Sequence, residues 1–123
     1  MDLNQITERI IGAAMKVHSA LGPGLLESAY QACLIRELEK QELALESEVV
    51  LPVVYDGEEI DAGYRMDLLV EDAVVLELKS VEKVLPIHED QLITYLKLSN
   101  KKVGLLINFN VLHLRDGITR RVN

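Results

Sequence analysis

The stretch Arg65-Met66-Asp67-Leu68-Leu69-Val70-Glu71-Asp72-Ala73-Val74-Val75-Leu76-Glu77-Leu78-Lys79-Ser80 reads as two strands joined by a short turn. Both runs are aliphatic and partly β-branched, and Glu71-Asp72-Ala73 between them is a hairpin signal. Successive side chains of a strand point to opposite faces. Glu77 and Lys79 therefore share one face, and Leu76 and Leu78 the other. Likewise Met66, Leu68 and Val70 oppose Arg65 and Asp67. Matching the apolar faces sets the register, because a one-residue slip would turn every side chain over. The expected pairs are Met66 with Leu78, Leu68 with Leu76 and Val70 with Val74. On the other face Asp67 meets Glu77, and Arg65 meets Lys79. Directly opposed side chains have Cβ atoms about 5 Å apart.

Two carboxylates facing each other destabilise a hairpin. A divalent cation between them removes that cost, and Mg²⁺ is commonly held by one or two carboxylates plus water. The alternative is a solvated charge lattice of Arg65, Asp67, Glu77 and Lys79 on a surface hairpin. The hairpin alone leaves both readings open.

Around this stretch lie 123 residues, a length that fits one domain with one core. Hydrophobic residues make up 49% and charged residues 27%, an ordinary globular balance. Aromatics are only 4%, so the core is aliphatic. No apolar run approaches the roughly 18–20 residues that span a bilayer. The polar start Met1-Asp2-Leu3-Asn4-Gln5 lacks a signal pattern, and a single cysteine, Cys33, excludes an intrachain disulfide. A cytoplasmic protein without membrane attachment is the expectation. The net charge of −7 counts against a plain nucleic-acid-binding module, though not against a nuclease, whose site is itself acidic. Late basic residues (Lys97, Lys101, Lys102, Arg115, Arg120, Arg121) could face phosphate or be ordinary solvated charge.

In chain order, residues 3–20 carry an apolar stripe at helical spacing, capped by Asp2 or Asn4 and ended by Leu21-Gly22-Pro23-Gly24. A second helix runs from near Leu25 to about Gln41, with Leu26, Ala29 or Tyr30, Cys33 or Leu34, and Leu38 inward. With Gly24 as N-cap, Glu27 falls at the third helical position, where a carboxylate satisfies free amides; capping and catalysis both suit it. Glu37–Glu48 reads as a solvated charge run. Strands are expected over 49–55, 60–70, 74–80, 102–109, 111–115 and 118–122. Pro52 suggests an edge or bulge, and Gly63 a bulge. A third helix over 88–99 places Gln91 and Tyr95 on one face. The connection from strand 74–80 through this helix is long enough for a parallel crossover. The element order ααβββαβββ gives an α+β (α/β) fold, a central mixed β-sheet flanked by helices.

Several chemistries are excluded by absence. There is no phosphate-cradling Gly-rich loop and no GxSxG elbow, and His18, His88 and His113 lack zinc spacing. Cys33 sits on a helical apolar face as a core residue.

Asp67 followed ten residues on by Glu77-Leu78-Lys79 resembles the PD-(D/E)xK nuclease signature, with Met66 where that signature has proline. Gly24-Leu25-Leu26-Glu27-Ser28-Ala29-Tyr30 resembles the GxxExxY pattern that names one family within it. Gln91-Leu92-Ile93-Thr94-Tyr95 resembles the QxxxY helix of RecB-like nucleases. These motifs fall in the right order, and the resemblance covers nearly the whole chain.

The resemblance implies a restriction-endonuclease-like core in a single domain. It implies a metal-dependent hydrolase of nucleic-acid phosphodiester bonds, with DNA favoured. Asp67 and Glu77 would ligate Mg²⁺ or Mn²⁺, with the Leu78 carbonyl and Glu27 as further ligands. Lys79 would orient the attacking water. Gln91 and Tyr95 would line the site and contact the scissile strand. No DNA-recognition element is legible, which leaves a homodimer or a protein partner as ways to grip a substrate. The rival expectation is a nuclease-fold binding module that does not cleave.

Overall fold

The computed structural model describes residues 1–123. Two helices come first, α1 (Leu3–Leu21) and α2 (Glu27–Lys40). A capping box starts α1: the Asp2 side chain accepts from Gln5 N–H, and Gln5 returns the bond to the Asp2 amide. The strands are β1 (Leu45–Val50), β2 (Val53–Tyr55), β3 (Glu58–Ile60), β4 (Arg65–Val70), β5 (Val74–Lys79), β6 (Val103–Asn108) and β7 (Ile118–Val122). Helix α3 (Pro86–Ser99) joins β5 to β6, and a 3-10 turn (Leu114–Gly117) precedes β7. No helix is long and apolar enough to cross a membrane.

Five strands form one sheet in the order β1-β4-β5-β6-β7, and β2 with β3 forms a separate hairpin. The β5–β6 pair is parallel and the other pairs are antiparallel. The expected crossover through α3 is therefore present, and the fold is the mixed α+β, restriction-endonuclease-like layout. Helices cover both faces. On one side Ile10, Tyr30, Leu34 and Leu38 of α1 and α2 pack on Leu68, Leu76 and Leu105. On the other, Leu92 and Leu96 of α3 pack on Leu69, Val75 and Leu106. This two-sided burial explains the near-continuous apolar runs of β5 and β6.

The hairpin register holds where the ladder exists: Leu68 faces Leu76 and Val70 faces Val74. It stops there, so Met66 does not pair with Leu78, nor Arg65 with Lys79. Met66 instead packs with Leu51, Leu69 and Val75 against α3. Beside it, Glu48 on β1 takes a positive φ of 52°, and the β1–β4 register skips from Ser47–Leu68 to Val49–Met66. A break at Glu48 and Asp67 thus turns the end of β4 over. Arg65 pairs with Asp61 at 3.2 Å instead of meeting Lys79.

Other departures are local. The strand expected over 49–55 divides at Leu51-Pro52, because proline cannot donate to a ladder. It also begins earlier, inside the charge run, since an edge strand tolerates exposed Glu46 and Glu48. The strand expected over 60–70 is interrupted where Asp61 Oδ1 accepts Gly63 N–H in a turn. The strand expected over 111–115 is absent. Asp116 N–H donates to His113 O and Leu114 is buried in the main core, so this piece coils into the 3-10 turn. Helix α3 starts two residues earlier than expected because proline suits the first helical position.

Gly104 on β6 lets α3 approach closely. A Cβ there would lie 2.7 Å from Leu92 Cδ1 and 3.2 Å from Leu96 Cδ2, both side chains fully buried. Gly104→Ala is expected to cost about 1–3 kcal/mol. Urea unfolding of the variant and wild type measures this, and an unchanged midpoint contradicts the packing.

Candidate active site

At the site, β4 and β5 exchange side chains for ladder bonds. Asp67 N–H donates to Glu77 Oε2 at 2.8 Å, and Leu78 N–H donates to Asp67 Oδ2 at 2.7 Å. Each carboxylate thus reaches an amide of the facing strand. The two acids are neighbours, as the register implies, but backbone N–H groups compensate them. Glu77 is only 7% exposed and Asp67 is half-buried.

Burial chiefly pushes the Glu77 carboxyl up to about 8, with the Asp67 charge adding to it and the Asp67 amide and Lys79 opposing. Asp67 is also raised, mainly by burial. Its Leu78 amide bond pulls the other way, while Glu48 and Glu27 push further upward. Lys79, on the same strand face as Glu77, lowers both acids yet makes no ion pair with either.

Glu27 opens α2 as its first residue, preceded by Leu26 as N-cap without a side-chain cap bond. The capping reading of Glu27 therefore does not hold. Leu26, expected inward, is 77% exposed. The Glu27 carboxylate is exposed, makes no hydrogen bond, and acts on Asp67 through space.

What positions Glu27 is Tyr30. Its buried hydroxyl donates to Gly22 O and accepts from Leu25 N–H at 3.2 Å, and its ring stacks on Phe109 at 4.5 Å. Ser80 Oγ, just past β5, donates to Leu25 O at 2.6 Å. The loop before α2 is thereby tied to the strand that carries Glu77 and Lys79. Gly22 and Gly24, with φ of 69° and 102°, supply the turn.

Gln91 Nε2 donates to Tyr95 Oη at 2.9 Å, the (i, i+4) contact expected on α3. Tyr95 is buried, and its hydroxyl is raised above its usual range by burial and then by the Glu77 charge. That coupling sets α3 beside the carboxylates. Leu78 contributes its amide, while its side chain lies in the core under α1 and α2.

Two neighbours escaped the sequence reading. Glu48 lies across β1 from Asp67 and raises both acids. Gln31, one turn after Glu27, donates to Glu48 Oε1 at 2.9 Å and to Asp67 O at 3.3 Å. Extending the strand alternation back to Leu45 would have set Glu48 opposite Asp67. The (i, i+4) rule would have set Gln31 beneath Glu27.

No three His, Cys, Asp or Glu side chains are drawn together closely enough to hold a metal ion. The Asp67/Glu77 pair nevertheless suits a hard cation by its chemistry. Asp67 Oδ1 and Glu77 Oε1 accept no hydrogen bond within the protein. Two carboxylates with water completing the shell is a common Mg²⁺ arrangement. A cation held there would take the place of the proton that burial favours on Glu77.

The family model of the PD-(D/E)XK nuclease superfamily matches residues 4–121. The chain belongs to this superfamily. No curated protein and no solved structure matches significantly. Membership points to a nuclease-type function on a nucleic-acid substrate, and PD-(D/E)XK nucleases are generally dependent on divalent metal. Three of the late basic residues of this PD-(D/E)XK chain are engaged within the fold, while Lys97, Lys102 and Arg115 make no ion pair. Lys101 pairs with Asp72, Arg121 with Glu89, and Arg120 donates to Asn4.

Two outcomes follow. Because the folded chain keeps a proton on Glu77 that the unfolded chain releases near 4.5, it binds more protons between about 4.5 and 8. Metal-free protein should therefore lose stability as pH rises through that window, by up to about 5 kcal/mol. Thermal melts across the window should show Glu77→Gln flattening the slope and raising Tm at the alkaline end. A flat wild-type profile contradicts the buried acid. Separately, Tyr30→Phe strands Gly22 O and Leu25 N–H and should cost about 1–2 kcal/mol in chemical denaturation.

Proposed function

We propose that the protein is a metal-dependent nuclease of the GxxExxY family, hydrolysing nucleic-acid phosphodiester bonds, with residues 1–123 as one cytoplasmic nuclease domain. The observation that carries this is the paired, half-desolvated Asp67 and Glu77 with an unpaired Lys79 ammonium beside them. DNA is the favoured substrate, and a homodimer or protein partner is the favoured means of gripping it, given the net charge of −7.

In this reading Asp67 and Glu77 would hold Mg²⁺ or Mn²⁺, with the Leu78 carbonyl and Glu27 as further ligands or through water. The cation supplies Lewis-acid polarisation of the scissile phosphate. Lys79 Nζ orients the attacking water and neutralises charge that builds on the phosphoryl oxygens. Tyr95 Oη, fixed by Gln91, donates towards a phosphate oxygen on the α3 side. Glu48 and Gln31 hold the Asp67 segment in place from β1 and α2. Burial of Glu77 favours its neutral form, so cleavage should rise with pH as that proton leaves.

A second reading, a nuclease-fold binding module without cleavage, is favoured by the amide bonds that already satisfy one oxygen of each acid and by the absence of a third converging carboxylate. The two separate experimentally. With Mn²⁺ or Mg²⁺, wild type should nick single-stranded, duplex or branched DNA, and Lys79→Ala should slow this by about 10²–10³-fold. No cleavage by wild type, or equal cleavage by Lys79→Ala, sinks the nuclease. No Mn²⁺ uptake by calorimetry, with Asp67→Asn more stable than wild type, supports the module.

A further inference from the structure

A groove of about 500 Å³ lies between α3 and the β2–β3 side of the molecule. One wall is Val53 and Tyr64; the other is Ile87, Asp90, Gln91 and Tyr95 of α3. Its volume falls within the range of small-molecule sites. The apolar surface is unusually open for a chain with few aromatics: Tyr64 is 43% exposed and Ile87 64% exposed. Isolated exposed apolar residues need no explanation, but a contiguous set lining a cleft does.

Three observations narrow the occupant. The groove shares Gln91 and Tyr95, hydrogen-bonded to each other at 2.9 Å, with the candidate site, so the two adjoin along α3. No lysine or arginine lines it, its one histidine, His88, accepts Leu85 N–H at Nδ1, and Asp90 adds negative charge, so a phosphate is disfavoured inside while a neutral ring is not. Tyr64 meets Tyr95 edge-on, with ring centroids 6.1 Å apart at 64°. That contact fixes the Tyr64 ring while the residue stays partly open to solvent. Amide, hydroxyl and carboxylate groups of Gln91, Thr94 and Asp90 stand opposite, as donors and acceptors for a base edge.

We propose that this groove seats an unpaired nucleobase beside the scissile phosphodiester, stacked on Tyr64 and held against Ile87. The inference rests on the nuclease reading and adds a substrate class: single-stranded or frayed nucleic acid. A base in continuous duplex is paired and stacked and cannot enter a side cleft without being extruded. Aromatic stacking tolerates any base, so the groove selects strandedness and not sequence.

Binding without metal tests it independently of cleavage. Fluorescence anisotropy in chelator compares a labelled oligothymidylate with an abasic strand of equal length and charge. The intact strand should bind more tightly. Tyr64→Ala should weaken it about tenfold and leave the abasic strand unchanged, and Tyr64→Phe should restore the difference. Equal affinity for the two strands, no detectable binding of either, or indifference to Tyr64→Ala overturns the groove. With Mn²⁺ present, cleavage should favour single strands over duplex, and Tyr64→Ala should erase that preference. Cleavage without base-dependent binding removes the groove and keeps the nuclease. Base-dependent binding with no cleavage removes the nuclease alone.

Discussion

The exchange between β4 and β5 governs the chain. Asp67 N–H to Glu77 Oε2 and Leu78 N–H to Asp67 Oδ2 do two things at once. They compensate two acids placed side by side, and they hold the strands together where the recorded ladder ends. Without such donors, a carboxylate as buried as Glu77 would face its desolvation cost unrelieved. The rest of the sheet is built to hold that arrangement. β6 runs parallel along β5 to Lys79, Phe109 N–H donates to Lys79 O, and the buried Asn108 side chain bridges to Val81 at both its amide and its carbonyl.

The helices then serve the site through a few contacts. Tyr30 locks the turn before α2, and Ser80 ties that turn to the end of β5. The tyrosine of the GxxExxY pattern is buried and bonded to the backbone of the turn that leads into Glu27. Gln91 likewise donates to the Tyr95 hydroxyl and fixes it on α3. Burial does not separate the motif residues: Glu77 is buried like Tyr30 and Tyr95, Asp67 and Lys79 are half-buried, and Glu27 is exposed.

Much of this was legible from pattern. Apolar alternation in 65–80 set the register of Leu68, Val70, Val74 and Leu76, and the helical stripe of Ile6, Ile10 and Val17 marked α1. Length of the connection marked the parallel crossover. Patterns failed where a side chain or turn overrides periodicity. Met66 changed faces because Glu48 and Asp67 break the ladder on both sides. Glu27 proved to be the first helical residue and not the third, because the Gly22–Gly24 turn runs two residues longer than a Gly24 cap requires; it stays in the first turn, where a carboxylate suits the helix dipole. Glu48 was hidden in a charge run, since charge on an edge strand looks the same whether it serves a site or solvent.

The amino-acid order by itself determined the elements that periodicity can specify: two helices, a hairpin, a crossover helix, and a strand carrying an acid and a lysine on one face. Local spacing suffices there, because side-chain direction repeats with the backbone. Only the tertiary structure decided which carboxylates meet amides and which stay free, that Glu48 and Gln31 join them, and that Tyr64 and α3 enclose a groove. Those facts depend on contacts between residues far apart in the chain, whose distances no period encodes.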